Sequence, residues 1–399
     1  MARPASTAES TRKLKLFGIA ILGVLAAALA GLAALAIGAW HYSDLVLLPP
    51  KPSTLHEQRV LAAGPNWVRL SRDRESLEPG TWALQWETGY GWVDRVLATT
   101  DSDVVREYRP TLGELPVGGW ASLRGVSKAA DPRTLLGLEF SNVTYDGPLG
   151  QYPAWLIPGA DTTWVIAVHG RAAMRAEALR TVSAIEHRGL PIMVIAYRND
   201  ASAPPAPDGY SHLGETEWTD LEAAARYALS HGARRLVLFG YSMGGQMVVQ
   251  FLLHSTLAPR VAAAVLESPM LDWNAGLALR AHEMGAPAFI TPIAQWVATR
   301  RGGLDWHRLD LTTSAAAFST PVLLFHGTKD TYAPVARSEA FAQAHASNVT
   351  LVRYTSANHV EAWNVDPASY TATLNYWLTT HGVGGGGPLP NSAPKGGLP

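Results

Sequence analysis

The stretch Leu236-Val237-Leu238-Phe239-Gly240-Tyr241-Ser242-Met243-Gly244-Gly245 constrains this chain more than any other. An apolar run rich in β-formers meets a Gly-x-Ser-x-Gly pentapeptide, and a helical pattern follows through Gln250. A buried strand that enters a tight, strained turn and leaves at once as a helix lifts the serine hydroxyl above the sheet edge. Gly240 and Gly244 give strand and helix room to approach closely. The bland reading is a glycine-rich strand-to-helix turn with an ordinary serine. The partners found downstream decide against it.

Composition bounds the function classes. Of 399 residues, 47% are hydrophobic, enough for a large core, and 16% are charged, below the usual quarter. A formal net charge of -1 leaves no basic excess to neutralise phosphates, so nucleic acid is not an expected partner. The cysteine count is zero, which removes disulfides, thiolate metal sites and a cysteine nucleophile together. No His/Asp/Glu grouping has metal-ligand spacing, and neither metal nor cofactor is expected.

The N-terminus carries the second strong signal. Basic Arg3, Arg12, Lys13 and Lys15 (segment 1–15) precede an uncharged apolar run over residues 16–40. About 25 residues suffice to span roughly 30 Å of hydrocarbon as a helix. A cleaved signal peptide has a shorter apolar region, of about 7–15 residues. The run therefore predicts an uncleaved signal-anchor, although Ala34-Leu35-Ala36 and Ala36-Ile37-Gly38 are small-x-small cleavage patterns. The flanking positive charges place the N-terminus in the cytoplasm and the body outside it. Trp40 and Tyr42 suit the interfacial belt, and Gly18, Gly23 and Gly31 offer a face to a second helix.

Residues 41–64, with Pro49, Pro50 and Pro52, read as a linker. Residues 65–131 hold Trp67, Trp82, Trp86, Trp92 and Trp120 among alternating fragments, which predicts a small Trp-rich β module. Its aromatics are expected to form its core or its packing surface against the next domain. From 135 to 381 two antiparallel strands are followed by strand–helix alternation, the pattern of a mostly parallel sheet covered on both faces. Alternation lapses between about 272 and 320. The tail, 382–399, is Gly/Pro-rich and cannot bury a core.

A serine hydroxyl needs a base, and the base needs a partner that holds its tautomer. Asp330 follows the strand Pro321–His326, and His359 follows the strand Val349–Tyr354. Ser242, Asp330 and His359 thus all lie beyond strand C-terminal ends, where open α/β sheets build their sites. In this reading His359 takes the proton from Ser242, Asp330 holds the imidazole, and water later hydrolyses the acyl-enzyme. The tetrahedral intermediate is assigned two backbone donors, the N–H groups of Met243 and of Arg171 in His169-Gly170-Arg171. The competing assignments are His169 or His326 as base, Glu267 as acid, and Arg171 as an anion-binding or simply solvated side chain.

This constellation resembles the α/β-hydrolase superfamily over about 135–381, and looks closest to membrane-anchored serine hydrolases of esterase, thioesterase and lipase type. The resemblance implies an eight-stranded sheet with only the second strand antiparallel, and a helical lid after strand six at about 272–320. It also makes His169 and His326 loop-shaping residues. The Gly-Gly-Gly extension of some carboxylesterases is missing after His169-Gly170, and no propeller precedes the domain as in prolyl peptidases. The expected function is hydrolysis of small or lipid-like acyl esters or thioesters. The alternatives are a peptidase or amidase on the same triad, and a binding protein working through the Trp-rich module.

Overall fold

The computed structural model describes residues 7–49, 57–312 and 318–384. Arg3, Pro50, Pro52, part of the 272–320 segment and most of the 382–399 tail lie outside the described residues.

The chain opens with α1 (Thr7–Leu47), a helix of 41 residues long and apolar enough to cross a bilayer. Strands β1 (Gln58–Gly64), β2 (Trp67–Ser71), β3 (Trp82–Trp86), β4 (Gly89–Thr99), β5 (Asp103–Leu112) and β6 (Trp120–Arg124) close into a barrel ordered β1-β2-β5-β4-β3-β6. The 41–64 linker is shorter than expected at both ends. Residues 41–47 continue α1, because a second helix covers one of its faces, and 58–64 pair as β1 with β2 and β6. Barrel closure needs that first strand, whose plain sequence Gln-Arg-Val-Leu-Ala-Ala-Gly carries no turn or aromatic signal.

The tryptophans divide by role. Trp82 and Trp86 fill the barrel core with Val60, Leu70 and Leu84. Trp92 packs on Trp363 of the following unit, with ring centroids 5.9 Å apart, while Trp120 stays on the surface under Arg59. Buried Arg106 ties the barrel's loops together by donating to the carbonyls of Ser76, Glu78, Gly80 and Asp94. Gly80 in turn lies against the Asn364 carbonyl, and the Asn364 amide donates to Thr81 and Gly125. Barrel and sheet are therefore joined beside the loop that carries His359.

After α2 (Pro132–Leu136) comes an eight-stranded sheet: β7 (Ser141–Gly147), β8 (Gly150–Ile157), β9 (Thr163–Val168), β10 (Ile192–Ile195), β11 (Arg235–Tyr241), β12 (Val261–Glu267), β13 (Val322–Gly327) and β14 (Val349–Tyr354). The order is β7-β8-β10-β9-β11-β12-β13-β14, and β8 alone runs against the rest. Strands β9 to β13 are apolar almost throughout, as strands buried on both faces must be. Helices α3 (Leu179–Ile185) and α10 (Pro367–Thr380) cover one face, and α4 (Trp218–Ser230) and α5 (Met243–His254) the other. A 3₁₀ turn, Arg175–Ala178, leads into α3.

The 272–320 segment supplies α6 (Trp273–Glu283) and α7 (Ile290–Gly302). Helix α8 (Val335–Ala344) follows β13, and the short α9 (Ala362–Val365) follows the His359 loop. Gly18, Gly23 and Gly31 meet nothing within 4 Å. The residues of α1 that pack include Leu35, Gly38, Ala39, Tyr42, Ser43, Asp44, Val46 and Leu47, which face α7 and the body.

Candidate active site

Ser242 stands between β11 and α5 with φ 50° and ψ -114°, a region a non-glycine residue occupies only when its surroundings enforce it. Two glycines enforce it here. A Cβ on Gly240 would lie 2.5 Å from the Gly244 carbonyl oxygen, and one on Gly244 would overlap the Val168 carbonyl at the end of β9. The N–H of Ser242 donates to the Glu267 carbonyl, and its own carbonyl accepts from Gln246 and Met270. The serine is thereby fixed to the end of β12, the loop after it and its own helix α5, and is 8% exposed.

The structure brings Ser242, His359 and Asp330 together. His359 Nε2 is 2.9 Å from Ser242 Oγ, and His359 Nδ1 is 2.8 Å from Asp330 Oδ2. Asp330 Oδ1 accepts from the N–H groups of Tyr332 and Ala333 at 2.8 and 2.7 Å. Burial alone raises the Asp330 pKa, but charged His359 and the hydrogen bonds from His326 and His359 reverse that and hold the carboxyl well below its usual range. Burial also lowers the His359 pKa, and the charge and hydrogen bond of Asp330 more than offset it, leaving the imidazole above its usual value. An ionised acid thus faces an imidazole of raised basicity, which faces a serine hydroxyl.

The competing residues have other partners. His169 is 1% exposed, stacks on Tyr197, and places Nε2 2.9 Å from Asp200 and Nδ1 2.9 Å from the Gly170 carbonyl. His326 bonds Ser338 and the Ala333 carbonyl, and its Nε2 lies 3.2 Å from the outer oxygen of Asp330, so it supports the acid. Glu267 accepts from the Ala362 N–H and the Tyr370 hydroxyl, and burial raises its pKa against the pull of Arg180. Arg171 is not solvated. Its guanidinium donates to the carbonyls of Leu45, Val46 and Leu48, capping the C-terminus of α1, and burial lowers its pKa. Met243 is the first residue of α5, so its N–H has no acceptor one turn back. Gly170 abuts Ser242, with a would-be Cβ 3.0 Å from the Ser242 Cβ, and Arg171 follows it into the same pocket.

Several supporting residues escape sequence reasoning. Val360 follows His359 with φ 57°, costly for a β-branched residue. Arg180 donates to the Val360 carbonyl at 2.5 Å and to Asn364 at 2.7 Å, and Ser268 accepts from the Val360 N–H at 3.1 Å. Arg180 is itself held between Glu177 and Glu267, and Glu177 also accepts from the Gly170 N–H at 2.7 Å. Nothing near in sequence marks Arg180, which lies in an unremarkable helix 179 residues from the base it supports. Ala172 and Ser268, with φ 68° and 45°, complete a ring of strained residues around the serine.

A cavity of about 270 Å³ opens over Ser242 and His359. Its far wall comes from the last barrel residue, Arg124, and the segment that follows it, Gly125, Val126 and Lys128. Burial and the neighbouring Arg124 lower the Lys128 pKa. The aromatics of the 272–320 segment do not line this cavity. Trp273 is buried, with its indole N–H on the Leu213 carbonyl, while Phe289 and Trp296 are exposed.

The sheet order is that of a known fold, and solved structures share it. The esterase Pf2001 of Pyrococcus furiosus superposes in two crystal forms. One gives a TM-score of 0.52 at 20% identity, over 64% of this chain and 96% of the esterase. The other gives 0.51 at 19%, over 63% and 95%. The chain has the α/β-hydrolase fold. Residues 206–382 match the prolyl oligopeptidase family. Residues 59–124, the barrel, match a domain of unknown function (DUF8805). The mouse alpha/beta hydrolase domain-containing protein 10 also superposes, with a TM-score of 0.48 at 15% identity over 61% of this chain and 99% of that one. No curated protein matches the chain by sequence. The family match runs from ahead of α4 to just past α10 and leaves out the barrel, so a six-stranded barrel precedes the matched part of the chain.

Proposed function

We propose that the chain is a membrane-tethered serine hydrolase that cleaves carboxylic ester or thioester bonds through an acyl-enzyme. The observation that carries this reading is the unbroken relay from Ser242 Oγ through His359 to Asp330, at 2.9 and 2.8 Å. His359 Nε2 removes the serine proton as Oγ attacks the acyl carbon, and Asp330 stabilises the imidazolium that forms. The oxyanion is met by the N–H groups of Met243 and Arg171; donors of this kind contribute about 2.7–4 kcal/mol each. His359 then protonates the leaving alcohol or thiol, and a water follows the same path to release the acid. Residues 16–40 serve as the anchor, with the N-terminus cytoplasmic and the hydrolase unit, 135–381, outside.

The fit to the prolyl oligopeptidase family over 206–382 favours a second reading, a peptidase or amidase on the same triad. Fluorophosphonate labelling of the full chain in detergent tests the nucleophile, with loss of label expected in Ser242→Ala. A panel of matched acyl esters, thioesters and peptide amides then separates the readings. Esters or thioesters are expected to turn over fastest, and faster amide cleavage supports the peptidase.

A further inference from the structure

The structure shows how α1 meets the body. Helices α1 and α7 lie side by side and run the same way, with Ile290 3.8 Å from the Cβ position of Gly38 and Gly302 against Leu47. Arg301 locks the pair, bonding Asp44 at 2.7 Å and lying 4.0 Å over the Trp40 ring. At about 1.5 Å per residue, some 20 residues of α1 from Leu16 use up roughly 30 Å of hydrocarbon and end near Ala36. Gly38 and Trp40 then stand in the interfacial layer, and Leu47 stands just above it.

Helix α7 starts at the Gly38 level and climbs away from the bilayer, so the α6–α7 turn points back toward it. That turn, Met284-Gly285-Ala286-Pro287-Ala288-Phe289, is uncharged and largely exposed. Phe289 is 59% exposed, and Trp296, about two turns higher on α7, is 61% exposed. From Met284 to Thr299 there is no charged residue, and Arg300 then lies 5.4 Å over the outer face of Trp296. The hairpin thus has an apolar tip, an aromatic at mid-height and a basic shoulder, and it starts beside the stretch of α1 where the apolar run gives way to Trp40. Such an arrangement in water leaves large apolar groups uncovered; in an interface it buries them and sets Trp and Arg at headgroup level.

We propose that the α6–α7 hairpin is a second membrane contact, its tip seated in the interfacial layer of the bilayer that α1 crosses. This rests on the reading of α1 as a membrane span. The consequence is a body held in one pose. Arg171, beside the nucleophile, is tied to the last carbonyls of α1, so Ser242 sits close to the lipid surface instead of swinging on a tether.

The absence of cysteine makes the test direct, because any single cysteine is uniquely labelled. Spin labels go on Leu25→Cys in the span, Phe289→Cys and Ala288→Cys at the tip, Trp296→Cys, and Tyr376→Cys on the opposite face of the sheet. The full chain is reconstituted in phosphatidylcholine–phosphatidylglycerol nanodiscs. Collision of each label with oxygen and with a water-soluble nickel chelate is compared, and unchanged melting of each variant checks its fold. Oxygen should dominate at 25, 288 and 289, the two should be near balance at 296, and nickel should dominate at 376. If 288, 289 and 296 behave like 376 while 25 reads as lipid, the hairpin contact is wrong and the anchor stands. If 25 also reads as water, the anchor itself is wrong and the hairpin contact falls with it.

Discussion

Replacing Asp330 with asparagine tests the relay without changing its shape. The amide's orientation is forced. Oδ1 accepts from two backbone N–H groups, Tyr332 at 2.8 Å and Ala333 at 2.7 Å, so the amide oxygen must stay there. The NH₂ group then replaces Oδ2, facing His359 Nδ1 at 2.8 Å and His326 Nε2 at 3.2 Å. His359 can answer a donor only by accepting at Nδ1, which moves its proton to Nε2, pointed at Ser242. That tautomer cannot take the serine proton. Loss of the orienting acid in such triads costs about 10⁴ in kcat, or about 5.4 kcal/mol of transition-state stabilisation. The pH profile must move as well. Catalysis needs neutral His359, so wild-type kcat/KM rises with pH through a value above the ordinary histidine 6.5. Without the Asp330 charge and hydrogen bond, the burial that lowers the His359 pKa is opposed only by the weaker pull of Glu177 and Glu361, so the residual activity of Asp330→Asn should rise at lower pH than wild type. The assay is kcat/KM for a p-nitrophenyl ester from pH 5 to 9, with melting as the fold control. Activity within tenfold of wild type, or an acid limb that stays in place, would refute the reasoning.

Glu361 provides an independent pH test. Burial raises its pKa to about 7 from 4.5, so its ionisation is disfavoured in the folded state; the stability it allows is complete below 4.5 and lost as pH rises through 7. Glu361→Gln should therefore melt like wild type at pH 4.5 and higher than wild type at pH 8; equal melting at pH 8 contradicts this. Gly244→Ala places a methyl on the Val168 carbonyl at the elbow, and overpacking of this kind costs about 1–3 kcal/mol or more, so both melting temperature and fluorophosphonate labelling should fall. Arg171→Met keeps the backbone N–H but removes three bonds to α1; hydrogen exchange over residues 42–48 should accelerate while Ser242 labelling persists, and unchanged exchange would deny the cap its role. Lys128→Gln, on the far wall of the cavity, should raise KM for a succinate monoester more than for a butyrate ester. An equal effect on both substrates would remove Lys128 from specificity.

Much of the hydrolase half was legible because its signals are local. A doubly buried strand must be apolar along its length, and a strand end that carries chemistry must be followed by a short loop, so Ser242, Asp330 and His359 announce themselves by position. The apolar run over residues 16–40 is equally local, since about 20 uncharged apolar residues have few other uses. Barrel closure was not legible, because β1 pairs with β6 across more than fifty residues and its sequence carries no period strong enough to mark it.

The sequence by itself marked the strand–helix alternation, the serine at the elbow and its two partners, and the apolar helix at the start. Each depends on covalent neighbours and on periodicity. Only the tertiary structure decided what surrounds them: that Arg171 caps α1, that Arg180 holds the strained Val360 loop from 180 residues away, that the end of the barrel and the segment after it supply one wall of the cavity, and that α7 lies along α1. These are contacts between surfaces brought together by folding. A guanidinium or a small-residue stripe has the same local sequence whether it meets a carbonyl, a helix or water, so its role is set by packing.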